Sequence, residues 1–191
     1  MDLVLLKPGL PELAGASLID GELVDTGYEI SAEGDETTRC IELVSMHFGM
    51  KQQMTTDVSN SARTSGRPVL NDITAVKYLD KTSPMLYKHC LSAAPIDDGD
   101  NPTQIFMCRN ANMEDPNSII GNIMTVTLWN CMIASVEAQS HPNDMATEQI
   151  TLNFTDVEWT TSHQDLDARI KGKFVYSWSV ARNRGLGRTN Y

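Results

Sequence analysis

The stretch Ile123-Met124-Thr125-Val126-Thr127-Leu128-Trp129-Asn130-Cys131-Met132-Ile133-Ala134-Ser135-Val136 decides the fold class. Its apolar residues recur with a period of two. Met124, Val126, Leu128, Met132, Ala134 and Val136 share one parity, and Thr125, Thr127 and Ser135 share the other. Side chains in an extended strand point alternately to opposite faces, so this is the pattern of a strand with one face on a core. Asn130 interrupts the apolar parity, and a β-bulge is expected there.

The same period extends outward in both directions. From Gln149 to Trp159, Ile150, Leu152 and Phe154 share one face; after Asp156 the phase shifts to Val157 and Trp159, which predicts a bulge or a strand bending between sheets. Phe174, Tyr176, Trp178 and Val180 alternate with Val175, Ser177 and Ser179 in an aromatic-rich strand. Leu3 to Leu6, a pair around Asp20-Gly21, Arg39 to Met54, Val69 to Leu79 and Gln104 to Arg109 are further strand candidates. The total of about eight suits antiparallel sandwiches and barrels. Thr82 to Leu91 stands apart as a short helix: Ser83 is expected as N-cap, Pro84 as the first helical residue, and Met85, Leu86 and Cys90 as the buried stripe.

At 191 residues the chain is expected to form a single domain, 1–191, in which 1–38 is the least patterned region and Arg182 to Tyr191 a flexible tail. Loops are expected at Val58 to Pro68, Asp97 to Pro102, Asn112 to Asn117, His141 to Asp144 and Ser162 to Lys171. A net charge of −10 is the wrong sign for a protein that tracks nucleic-acid phosphates with Lys and Arg. Apolar stretches fall short of the ~20 residues that cross a bilayer, and the start lacks the basic-then-apolar pattern of a signal peptide. The chain is therefore expected to be made in the cytoplasm and to leave, if it leaves, outside the general secretory route.

The residues that could carry chemistry do not assemble into a recognisable constellation. Cys40, Cys90, Cys108 and Cys131 form no C-x-x-C pair and read as buried thiols, while His47, His89, His141 and His163 lack metal-ligand spacing. The acidic run Asp97 to Asn101 is oxygen-rich but lacks the EF-hand spacing, and a solvated turn is expected. Gly185-Leu186-Gly187 follows no strand-to-helix unit, and the Asn153-Phe154-Thr155 sequon lies within a strand. No catalytic, metal-binding or cofactor-binding residue is expected, and no enzyme activity.

Several short elements resemble the haemolysin-coregulated protein family, the tube subunits of bacterial type VI secretion. Val76-Lys77-Tyr78-Leu79-Asp80-Lys81-Thr82-Ser83-Pro84-Met85-Leu86 is similar to that family's strand, Lys, aromatic, apolar, Asp and Ser/Thr-Pro helix start. Val126-Thr127-Leu128 through Ser135-Val136 follows, and then Thr147-Glu148-Gln149-Ile150-Thr151-Leu152-Asn153-Phe154 resembles its T-E-x-apolar-T-L-x-aromatic strand. Phe48-Gly49-Met50 upstream and Tyr176-Ser177-Trp178 downstream complete the order. The resemblance spans Ile41 to Ala181 and departs from the family in a longer start, an insertion at Asn112 to Ser118 and an extended tail.

The resemblance implies a mainly β fold, either a small closed antiparallel barrel or two packed sheets, with one short flanking helix. It implies homohexameric rings stacked into a hollow tube, driven by a contractile sheath, tipped by a spike protein and carrying small effectors in the lumen to the exterior or a target cell. It places Arg63, Thr64, Ser65, Gly66 and Arg67 in a ring-stacking loop. With Met46 and Phe48 turned to the core, Ser45 and His47 become lumen or subunit-contact candidates, and Thr125, Thr127, Thr151, Asn153 and Thr155 are expected on an outer face. A tail-tube subunit of a phage or extracellular contractile particle is an alternative of the same architecture. A carbohydrate-binding module or enzyme on a β-sandwich, with Trp129 at its surface, is an alternative of another class.

Overall fold

The computed structural model describes residues 3–13, 15, 40–56, 66–110, 120–140, 142–164 and 170–187. The expected hairpin at Asp20-Gly21, the insertion Asn112 to Ser118, His141, and Arg63, Thr64 and Ser65 lie outside them. In chain order the strands are β1 (Leu3–Lys7), β2 (Ile41–Leu43), β3 (Ser45–His47), β4 (Met50–Lys51), β5 (Val69–Leu70), β6 (Ile73–Tyr78), β7 (Thr103–Asn110), β8 (Ile120–Trp129), β9 (Met132–Gln139), β10 (Thr147–Asn153), β11 (Asp156–Gln164), β12 (Ile170–Ser179) and β13 (Arg184–Gly185). The helix α1 (Ser83–Ser92) lies between β6 and β7, and a 3-10 turn spans Pro11–Leu13.

All pairings among the described residues are antiparallel. One sheet runs β13-β12-β11-β8-β7-β1-β2, a second runs β3-β6-β10-β9, and β4 pairs β5. The seven- and four-stranded sheets face a shared core, and the pairings among the described residues form no closed ring. The chain passes between sheets at bends. Val44 separates β2 from β3 and donates its N–H to the Val76 carbonyl at 2.7 Å. Phe154 and Thr155 separate β10 from β11, so the phase shift read in Gln149 to Trp159 is a strand bending from one sheet to the other.

Asn130 is more than a bulge. Its φ is 50°, a left-handed conformation that asparagine tolerates better than most residues, and here β8 ends in the larger sheet and β9 begins in the smaller. The bend reverses which parity faces inward. Val126 and Leu128 are buried before it and Cys131 and Ile133 after it, while Ala134 is exposed, contrary to the single continuous face expected. Ala134 is the extra residue of a bulge opposite Thr151 and Leu152, and beyond it Val136 packs against the core again.

The core fills the space between the sheets with Leu6, Ile41, Ile73, Ala75, Ile105, Val126, Leu128, Ile150, Leu152 and Val157, and Leu86 of α1 seals its side. Met85 and Cys90 pack against it as expected, and His89 is buried with them. β1 is apolar on both faces. Val4 and Leu6 join this core, whereas Leu5 packs with Cys40, Phe106 and Cys108 in a second cluster. Thr125 and Thr127 are buried instead of forming an outer surface, and Asn122 Nδ2 donates to Thr125 Oγ1 at 2.8 Å. The start of the expected tail turns back as β13, pairing Arg184 with Ser179 and Gly185 with Trp178.

Candidate assembly surface

The sequence element Lys77 to Leu86 folds around a buried charge. Lys77 and Glu148 are direct cross-strand partners on β6 and β10, both side chains are 0% exposed, and Lys77 Nζ lies 2.7 Å from Glu148 Oε1. Lys77 also donates to the Tyr78 carbonyl at 2.8 Å and to Asp80 Oδ1 at 2.9 Å. Ser83 Oγ donates to Glu148 Oε1 and Tyr87 OH donates to Glu148 Oε2, each at 2.7 Å. Every strong donor and acceptor at the centre is matched, the condition under which a desolvated ion pair is tolerated.

This network corrects the expected cap. The residue preceding α1 is Thr82, whose side chain makes no capping bond, and Ser83 is the first helical residue with its hydroxyl turned to Glu148. Asp80 does the capping work from outside the helix. Its Oδ1 accepts the Thr82 N–H at 2.8 Å and the Thr82 hydroxyl at 2.6 Å. Burial raises the Asp80 pKa, but hydrogen bonds from Thr82 and Lys77 outweigh it and hold the carboxyl below its ordinary value. The Tyr87 hydroxyl is pushed up to about 12 by its hydrogen bond to Glu148 and, after that, by burial and the nearby carboxylate.

On the far side of the smaller sheet, Ser45 and His47 of β3 are exposed while Met46 and Phe48 pack against the core, the orientation expected. Gly66 and Arg67 are exposed just before β5, and Gln52 Nε2 donates to the Gly66 carbonyl at 2.9 Å. Gln52, and Pro68 just after Arg67, line an apolar groove. Met50, Pro68 and Leu70 form one wall, and Trp159, Tyr176 and Trp178 of β11 and β12 form the other. Trp159 and Tyr176 are cross-strand partners whose rings stack 6.4 Å apart at 11°. This apolar face leaves the core at Trp178 and ends in the open: Phe174 is 61% exposed and Met50 59%.

A second apolar groove lies between α1 and β9, lined by Tyr87, Cys90, Leu91, Val136 and Ala138, with Leu91 88% exposed. Trp129 is half-buried in a shallow polar groove beside Asp156, Glu158, Ser177, Arg182 and Leu186. In the acidic turn, Asp98 behaves as expected, accepting the Asn101 N–H at 2.7 Å from an exposed position. Asp97 does not: it is buried and its Oδ2 accepts the Cys131 N–H at 2.8 Å. Cys40, Cys108 and Cys131 are buried free thiols, and Cys90 is a half-buried one. Burial pushes Cys40 up to about 11 and Cys108 up to about 12, so both stay protonated at neutral pH.

The buried pair escaped the sequence reading, although a signal for it was present. Lys77 shares the inward parity of Ile73 and Ala75, and Glu148 that of Ile150 and Leu152. A charge on the core parity of each of two strands calls for a partner.

Antiparallel sheets bent into one another, with the one α-helix among the described residues pinned to the four-stranded sheet and apolar grooves open at the surface, define a mainly β protein. The chain belongs to the family described as "Type VI secretion system effector, Hcp", which matches residues 15–161. It is 29% identical over 116 residues to Protein hcp1 of Pseudomonas aeruginosa, an alignment covering 60% of this chain and 66%, just under two-thirds, of that relative. The fold is similar to a structure of a type six secretion system protein, with TM-score 0.70, 15% identity, and 97% and 99% of the two chains covered. It is also similar to Hcp1 from Salmonella typhimurium, with TM-score 0.66, 16% identity and the same coverage.

Proposed function

We propose that this chain is a structural subunit of the type VI secretion inner tube, forming hexameric rings that stack into a hollow conduit. Sheath and spike proteins are its partners, and small effector proteins its lumenal cargo, on the way out of the producing cell. The observation that carries this reading is the open apolar groove of Met50, Leu70, Trp159, Tyr176 and Trp178, continuing to exposed Phe174, in a chain of the Hcp family. Exposed apolar area of this kind is favourable to cover, and covering it with another copy gives a heterologous contact that closes into a ring. Ser45 and His47 are assigned to the lumen or a subunit contact, and Arg63 to Arg67 to the contact between stacked rings.

Negative-stain images and sedimentation of the purified protein test this. Six-fold rings with a central pore are expected, stacking into tubes at high concentration. Arg63→Glu combined with Arg67→Glu is expected to leave rings intact and shorten the stacks. A strictly monomeric protein at high concentration would sink the proposal.

A further inference from the structure

The inward face of β6 consists of Ile73, Ala75 and Lys77, and that of β10 of Glu148, Ile150 and Leu152, with Phe154 just beyond. Lys77 and Glu148 apart, these residues are apolar and interchangeable in character. A slip of β10 by one residue would turn its apolar set outward, which already forbids it. A slip by two keeps every apolar side chain inward, so hydrophobic burial alone does not choose between that register and the native one.

We propose that the Lys77–Glu148 pair is a register lock, retained for choosing one alignment of β6 and β10 more than for stability. In the native alignment the partners, 71 residues apart in sequence, face each other at 2.7 Å beneath Ser83 and Tyr87. A two-residue slip in one direction sets Lys77 against Ile150 and Glu148 against Leu79. The other direction sets Lys77 against Ala146 and Glu148 against Ala75. Either leaves the buried Glu148 carboxylate without its cation, costs Lys77 its second carboxylate while Asp80 and the Tyr78 carbonyl stay with it on the same segment, and removes the acceptor for Tyr87 and Ser83. A lone buried charge is far more costly than a neutral mismatch, so the pair penalises both neighbouring registers while the native one satisfies it. The lock also fixes α1, because Ser83 and Tyr87 bond to the same carboxylate.

The double substitution Lys77→Met with Glu148→Leu separates this role from plain stabilisation. With matched apolar groups the thermal midpoint is expected within about 4 °C of the wild type, whereas either single substitution lowers it by roughly 10 °C. The double variant is expected to show two sets of amide resonances for β6 and β10, the second with cross-strand contacts between residue 77 and Ile150 or Ala146. One native set in a stable double variant overturns the proposal, as does a midpoint falling as far as in the single variants. Should the double variant not fold, Glu148→Gln, which keeps the shape and removes the charge, decides: a minor slipped set is expected, and a single native set overturns the lock.

Discussion

Glu148 is the residue on which most of the local structure converges, holding Lys77, Ser83 and Tyr87 at once in a fully buried position. Removing one member of a buried pair strands the other, so Glu148→Ala or Lys77→Met is expected to destabilise the fold by about 3–5 kcal/mol, measured by urea unfolding. Asp80 gives a pH-dependent readout. Its folded-state pKa is depressed, so its contribution is full above the unfolded value of about 3.9 and is lost as pH falls through the folded value. The stability difference between wild type and Asp80→Asn is therefore expected to be largest near neutral pH and to shrink below about pH 4. A constant difference across that window would contradict the assignment.

At the level of elements, the ends of α1 and the bends between sheets do the organising. α1 stops at Ala93, whose φ of 50° and ψ of 40° are left-handed, and whose N–H bonds the Cys90 carbonyl at 3.3 Å. Glycine reaches this conformation without the steric cost of a Cβ. Ala93→Gly is therefore expected to stabilise the protein by about 0.5 kcal/mol. Thermal unfolding of the variant beside the wild type checks the sign. The bends at Val44, Asn130 and Phe154-Thr155 let short strands serve both sheets, so the same chain lines both sides of the core.

For the molecule as a whole, the consequential feature is where apolar surface is left uncovered. The aromatic face of β11 and β12 begins in the core at Val157 and Trp178 and runs out to Tyr176 and Phe174. Phe174→Asp together with Tyr176→Asp is expected to leave the fold in place, since Phe174 is 61% and Tyr176 49% exposed and neither belongs to the buried core. It is expected to weaken self-association at least about tenfold by sedimentation, the loss that about 1.4 kcal/mol of interface energy would cause. Equal association by the variant would place the contact elsewhere. In the resting protein the buried thiols of Cys40, Cys108 and Cys131 stay out of this surface.

The helix was legible in the sequence because Met85, Leu86 and Cys90 follow the 3.6-residue period, and strand identity was legible because period-two alternation is a local property that Phe174 to Val180 and Gln149 to Phe154 follow. The orientation of Ser45 and His47 was legible for the same reason. The phase shift after Asp156 already allowed a change of sheet near Thr155, but local pattern could not tell that Asn130 changes sheets, that Thr125 and Thr127 are buried, or that Ser83 serves Glu148 instead of capping its helix. Those outcomes depend on what lies across the sheet or over its face, which is decided by residues far away in the chain. Composition and periodicity determined a mainly β protein with one helix. Only the tertiary structure decided which buried charge meets which, because desolvation makes a lone Lys77 or Glu148 untenable and leaves their pairing as the solution.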